Sequence, residues 1–245
     1  MSRMPRHDTV FATFYFMLMV VVITAEWMEL KWLYFPTKPA MVMMLLWYFR
    51  ASTKSGINSG FRNLVSLAFV FCIAGDTLLM FVPESEYFFL GGLVAFLTGH
   101  LFYTSAFTFE ILKKRPWKQH WGQLAFSTLI VVFGVEFYIL NRDSFGNMWL
   151  PVMLYCAVIT VMGVAATMRD SSEPRKGYYQ VIGGACLFII SDSLLATNKF
   201  IVPFYLAGPL ILTTYFTAQY LIAKGCIHRI NVASSKKTEA LIHQE

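Results

Sequence analysis

Charge is what this chain has least of. Aspartate, glutamate, lysine and arginine make up 14% of its 245 residues, where a soluble domain carries about 25%. So little charge cannot cover a water-facing surface, and the deficit points to a membrane protein. Cysteine is scarce as well. Cys72, Cys156, Cys186 and Cys226 lie in or beside apolar runs without CxxC spacing, which argues against a disulfide framework or a zinc site. Several signatures that carry chemistry are missing. There is no HExxH, and only His100 of the five histidines falls inside an apolar run, so a three-histidine metal site lacks ligands. There is no GxSxG for an acyl hydrolase, no Walker A motif and no dinucleotide fingerprint. A GxGD aspartyl protease motif would need glycine at position 73, where Ile73 stands.

What the chain does have is apolar length. It is 57% hydrophobic and 17% aromatic, with a mean hydropathy of +0.55. A helix needs about 20 mostly apolar residues to cross the hydrocarbon of a bilayer. Eight runs qualify as spans: Val10–Leu30, Thr37–Phe49, Leu64–Val82, Phe88–Leu112, Leu124–Leu140, Met148–Met168, Tyr178–Ala196 and Phe204–Ala223. The second is short, and is expected to extend from Phe35 to Ala51. The connections are brief and polar, as in "STKSGINSG" and "RDSSEPRKG". The first run is too long for a signal peptide core and is kept as a span. The expected class is therefore an all-α integral membrane protein, an eight-helix bundle over residues 10–224. A short segment, 1–9, precedes it and a tail, 225–245, follows.

Eight spans put both termini on one side. Sixteen lysines and arginines fall on that side: Arg3, Arg6, Arg50, Lys54, Arg62, Lys113, Lys114, Arg115, Lys118, Arg169, Arg175, Lys176, Lys224, Arg229, Lys236 and Lys237. Only Lys31, Lys38, Arg142 and Lys199 fall on the other. The asymmetry makes the termini cytoplasmic by the positive-inside rule. It also accounts for the net charge of +6 as topology and contact with anionic lipid, so no nucleic acid is required.

Against this background two acids stand out. "AGDTLLM" around Asp76 and "ISDSLLA" around Asp192 each set an aspartate between a small residue and a hydroxyl, followed by Leu-Leu. Other pairs recur: Pro39 in "KPAMVMML" with Pro151 in "LPVMLY", and Glu26 in "EWMEL" with Glu136 in "EFYIL". These matches suggest two four-helix repeats in parallel, 10–112 and 121–224, related by an axis along the membrane normal. At about 1.5 Å per residue from Arg62, Asp76 sits roughly 20 Å into the membrane.

An ionisable residue at that depth costs about 2.5–3.5 kcal/mol and turns toward a partner or a wet cavity. The candidates to share such a cavity are Glu26, Lys38, Asp76, His100, Tyr103, Glu136, Tyr155, Asp192, Asn198, Lys199, Tyr215 and Gln219. His100 and Tyr103, three apart in "GHLFY", are expected on one helical face. Asp192 and Lys199, seven apart, are likewise expected on one face. Each has a structural reading too: the aspartates as helix pins, His100 as a core histidine, Lys38 as a snorkelling lysine. A close pair of carboxyls in a poorly solvated pocket can hold one proton between them, which gives an acid and a base without a metal or cofactor. That suits water addition to acetals, glycosides or enol ethers, and equally suits proton coupling in a carrier.

Taken in order, "TKP", "AGDTLLM", "GHLFY", "SDSLLATNKF" and "YFTAQYLIA" resemble the YhhN-like lysoplasmalogenase family of eight-span membrane proteins, over about Glu26 to Ala223. The resemblance implies hydrolysis of the vinyl ether bond of a lysophospholipid substrate, the lysoplasmalogen, to a fatty aldehyde and a glycerophospho-base. Carried over by position, one of Asp76 and Asp192 protonates the alkenyl carbon and the other activates water. His100, Tyr103, Glu26 and Glu136 support them. Lys38 or Lys199 holds the phosphate, and Asn198, Tyr155, Tyr215 and Gln219 line the binding site. No metal and no cofactor enter this reading. The alternative is a proton-coupled transporter of a small or lipid substrate. The expected location is a multi-pass position in a bacterial cytoplasmic membrane or the endoplasmic reticulum membrane.

Overall fold

A computed structural model describes residues 6–53, 59–82, 84–112, 121–169 and 175–242. The described residues form eight α-helices: α1 (Arg6–Trp27), α2 (Lys31–Ser52), α3 (Ser59–Leu79), α4 (Glu86–Leu112), α5 (Trp121–Asn141), α6 (Trp149–Met168), α7 (Arg175–Ala196) and α8 (Ala207–Ile242). There is no strand among them. Five stretches are long and apolar enough to cross a membrane: His7–Trp27, Ser59–Leu79, Glu86–Ile111, Trp121–Met168 and Arg175–Ile201. The fourth contains both α5 and α6. The chain is an integral membrane protein.

The helices run further than the apolar runs alone indicate. α2 begins at Lys31 and carries Pro36 and Pro39 within it. Neither proline donates a backbone hydrogen bond, and the hydroxyl of Thr37 turns back to the Leu33 carbonyl. α8 continues past Ala223, where the apolar run ends, to Ile242. Helical propensity and i→i+4 bonding do not stop where hydropathy does, which is why these ends differ from the expected spans. Of the charges used for topology, Arg3, Lys54, Lys113, Lys114, Arg115 and Lys118 lie outside the described residues.

Turns set the helix order. α1 closes with the Glu29 amide bonded to the Glu26 carbonyl and the Leu30 amide bonded to the Ala25 carbonyl, a Schellman pattern with Glu29 at φ 55° in the place usually held by glycine. A 3-10 turn, Arg142–Met148, joins α5 to α6 through Gly146 at φ 51°, where a side chain would be strained. A π-helical turn, Thr197–Ile201, extends α7.

Polar contacts show that neighbouring helices alternate in direction. At one end of the bundle Lys224 of α8 reaches Asp8 of α1 and Tyr48 of α2, both at 2.9 Å. At the same end Glu110 of α4 accepts from Arg169 after α6 (2.7 Å) and Arg229 of α8 (2.6 Å). Arg62 of α3 reaches the Arg50 carbonyl of α2, and Gln123 of α5 bonds Thr167 and Tyr178 from α6 and α7. Starts of odd-numbered helices thus meet ends of even-numbered ones.

α3 lies on α4 and α7 on α8 as the most extensive pairs, α4 contacts α6, and α2 contacts α8. Tyr15, Phe49, Phe69, Tyr103, Phe107 and Phe216 fill the core. α7 and α8 approach closely enough that a Cβ on Gly184 would lie 2.8 Å from the Ala218 carbonyl oxygen. α5 is peripheral: among its residues only Gln123, Ser127 and Ile130 are buried, and Leu129, Ile139 and Leu140 face outward.

Candidate active site

The repeated aspartate motif has the same local structure in both copies. Thr77 donates to the Ile73 carbonyl and Ser193 to the Ile189 carbonyl, each at 2.8 Å and each four residues back. The hydroxyl after each aspartate is therefore spent on its own helix. The small residue before each aspartate admits a neighbour. A Cβ on Gly75 would stand 2.6 Å from the Phe96 ring of α4, and Ser191 donates to the Ile211 carbonyl of α8 at 3.0 Å. The motif packs its helix on the next one and leaves the carboxyl to face inward.

Each carboxyl is held from two helices. Asp76, 1% exposed, accepts from the Tyr215 hydroxyl of α8 at 2.7 Å, and the Lys38 ammonium of α2 stands 3.9 Å away. Gln219 carries this network further: its amide donates to Tyr215 at 3.3 Å and its carbonyl accepts from Tyr103 of α4 at 2.8 Å. Asp192 accepts a hydrogen bond from Tyr155 of α6. His100 Nε2 of α4 lies 3.3 Å from the same carboxyl oxygen and 2.9 Å from the Tyr155 hydroxyl. The Phe188 ring packs edge-on against both His100 and Tyr215, so one aromatic separates the two carboxyl clusters.

Asp76 and Asp192 line one cavity of about 290 Å³ together with Glu26, Lys38, Asn198 and Lys199. Glu26 presses against Gly208 in the first turn of α8, where a Cβ would fall 2.0 Å from its carboxylate oxygen. Glycine is needed there for contact, and the helix N-terminus favours the negative charge. Lys38 is buried and inward, its ammonium also 5.5 Å from the Tyr34 ring centroid, which removes the snorkelling reading. Asn198 accepts from the Phe204 amide at 3.2 Å and so ties down the loop before α8.

Other expectations are corrected. Glu136 is exposed on peripheral α5 and lines no part of this cavity, because the glutamate-before-aromatics likeness to Glu26 carries no information about helix facing. His100 and Tyr103 sit on one helix but serve different aspartates, His100 directly and Tyr103 through Gln219 and Tyr215. Lys199 lies in the π-helical turn, pairs with Glu86 at 3.8 Å and lines the same cavity as Asp192. Tyr34, Phe96 and Phe188 were not singled out from the sequence, since an aromatic carries no mark of a site in a chain that is 17% aromatic.

Fold and site together define a helical membrane protein that encloses two carboxyl groups in one cavity. The chain belongs to the YhhN family, whose match covers residues 33–226. The human protein named lysoplasmalogenase TMEM86B is 30% identical over 199 residues, 81% of this chain and 77% of that relative. The human protein named lysoplasmalogenase TMEM86A is 30% identical over 166 residues, 66% of this chain and 65% of that relative. The chain thus spans just under two thirds of TMEM86A. The Sus scrofa lysoplasmalogenase TMEM86B is 31% identical over 183 residues, 74% of this chain and 70% of the relative. No solved structure matches the chain.

Proposed function

We propose that this protein hydrolyses the vinyl ether bond of lysoplasmalogens, releasing a fatty aldehyde and a glycerophospho-ethanolamine or -choline. The observation that carries the reading is that Asp76 and Asp192 share one cavity while being held by different partners. The relatives' names supply the substrate.

In this mechanism Asp192 is the acid. Both of its described hydrogen bonds go to Oδ2, which leaves Oδ1 to carry a proton into the cavity. That proton passes to the alkenyl carbon remote from the ether oxygen, and the carbon next to the oxygen becomes an oxocarbenium ion. Asp76 is the base. Lys38 compensates negative charge on it, and the 3.9 Å separation is too long for a direct hydrogen bond, leaving Oδ1 open to a water. Asp76 takes a proton from this water as its oxygen bonds to the cationic carbon. The hemiacetal then collapses: the Asp192 carboxylate takes its hydroxyl proton as the aldehyde C=O forms, the carbon–oxygen bond to glycerol breaks, and Asp76 gives its proton to the leaving oxygen, so that both carboxyls regain their starting states. Acid–base assistance of this kind contributes about 10²–10⁴-fold. Tyr155 and His100 orient the acid, Tyr215 and Gln219 orient the base, and Lys38 and Lys199 face the phosphate.

All eight helices cross the membrane in this reading, with both termini cytoplasmic. The alternation of helix ends supports it, as does the gathering of Arg50, Arg62, Arg169, Lys224 and Arg229 at the end where α1 begins. The halves are parallel repeats. Asp76 is held by α2 and α8, and Asp192 by the corresponding helices α6 and α4.

The test is purified protein in detergent with lysoplasmenyl-ethanolamine, trapping free aldehyde. Aldehyde release is the expected result. Intact lipid, together with proton-dependent flux of the substrate in liposomes, would make the protein a carrier instead.

A further inference from the structure

Beside the polar cavity lies a second recess, and its position relative to Asp192 orders a substrate. The recess has a volume of about 60 Å³ and is walled by apolar side chains from α4, α5, α6 and α7, including Leu93, Phe137, Val152, Cys156 and Ile159. Among the described residues Asp192 is the only charged one in its wall. Leu79, Phe89, Phe96, Asp192 and Leu195 line both spaces, so the polar cavity and the apolar cleft adjoin, with Asp192 in the wall of each.

The walls on the two sides differ in kind. The polar cavity carries Glu26, Lys38, Asp76 and Lys199, two cations and two acids. The cleft carries none of these. Its wall includes Phe133, which is 44% exposed on the peripheral helix α5. The cleft is therefore largely apolar, and its α5 wall reaches the outer surface of the bundle.

We infer that the cleft between α4, α5 and α6 is the subsite for the alkenyl chain of a single-chain ether lipid, which enters from the bilayer past Phe133 and places its first carbons beside Asp192. The inference rests on the lysoplasmalogenase reading and deepens it. A lysoplasmalogen is polar at one end, carries its vinyl ether next to the glycerol, and is hydrocarbon from there on. Cavity, Asp192 and cleft follow in that same order. A head group in the polar cavity and a chain in the cleft bring the reacting carbons to Asp192, the only charged side chain among the described residues that lines both spaces. The reverse placement would bury a phosphate among phenylalanines, at the desolvation cost of an unpaired charge.

The geometry also fixes which part of the chain is read. A cleft of about 60 Å³ encloses only the carbons nearest the ether, and the remainder lies in the lipid beyond Phe133. Selectivity accordingly falls on the shape of the proximal chain, and total chain length has little effect. Cys156 is half-buried on the α6 face that lines the cleft. A larger side chain there would narrow the slot without removing a group that contacts either aspartate.

The experiment uses the full-length protein and a non-hydrolysable alkyl-ether lysophosphoethanolamine with a photoreactive diazirine on the proximal part of its chain. After irradiation, labelled residues are mapped by mass spectrometry. Labelling at α5 and α6, within residues 133–160, is expected, with at least a several-fold reduction in Cys156→Phe. Labelling confined to α1 and α2, or undiminished labelling of the same residues in Cys156→Phe, would overturn the inference. Because the probe is not cleaved, the result is independent of catalysis. Labelling at α5 and α6 in a protein that releases no aldehyde would keep the chain subsite and defeat the hydrolase reading. Aldehyde release with labelling elsewhere would do the opposite.

Discussion

The Lys38 ammonium stands 3.9 Å from the Asp76 carboxylate, with side-chain exposures of 10% and 1%. Removing one partner of a buried pair leaves the other charge uncompensated, at a cost of about 3 kcal/mol. Lys38→Met is therefore expected to lower the denaturation midpoint and abolish aldehyde release. The double variant Lys38→Met/Asp76→Asn removes both charges and is expected to recover most of the stability with none of the activity. Thermal unfolding in detergent, followed by the assay, checks both halves.

Tyr155 and Tyr215 each donate to one aspartate. Loss of a hydrogen bond to a charged group, here the Asp76 carboxylate or the carboxylate that proton transfer creates on Asp192, is worth about 1.5–3 kcal/mol, so Tyr155→Phe and Tyr215→Phe are each expected to reduce kcat by about 10- to 100-fold. Tyr103→Phe acts only through Gln219 and Tyr215, and its expected effect is smaller than that of Tyr215→Phe. Steady-state kinetics on the three variants would order them, and a Tyr103→Phe defect equal to that of Tyr215→Phe would contradict the relay.

Glu136 provides the negative control. It is exposed on α5 and away from the cavity, and Glu136→Gln is expected to keep wild-type kcat and KM. Glu26, pressed against the start of α8, is expected to respond differently: Glu26→Gln should raise KM for the zwitterionic lipid.

Glu110 accepts from both Arg169 and Arg229 at the opposite end of the bundle. Glu110→Ala would strand two guanidinium groups, and is expected to destabilise the fold by about 3–5 kcal/mol while the KM of surviving protein is unchanged. A large KM change with intact stability would mean that this end takes part in binding.

Much of the candidate site was legible because acids are conspicuous in an apolar chain. Asp76 and Asp192 were marked by their shared motif, and Tyr155, Tyr215 and Gln219 by polarity within apolar runs. Their pairing was not legible, since Tyr215 and Asp76 are 139 residues apart and Tyr103 and Gln219 are 116 apart. The clusters around Lys224 and Glu110 escaped for a related reason. A charge near the end of an apolar run looks solvated, and only the packing of α8 against α1 and α2 brings Lys224 to Asp8 across 216 residues. Helix existence followed from hydropathy, but helix ends did not. α2 and α8 continue through polar residues that remain bonded to their own helices.

The most direct test of the central claim is hydrolysis of lysoplasmenyl-ethanolamine in D₂O by the wild-type protein, Asp76→Asn and Asp192→Asn, with the aldehyde trapped at once and weighed by mass spectrometry. Protonation of the alkenyl carbon by a solvent-exchanged carboxyl predicts one deuterium on the carbon beside the aldehyde, and rates at least about 100-fold lower in both variants. Aldehyde without deuterium, or either variant working at the wild-type rate, would contradict an aspartate acid–base pair.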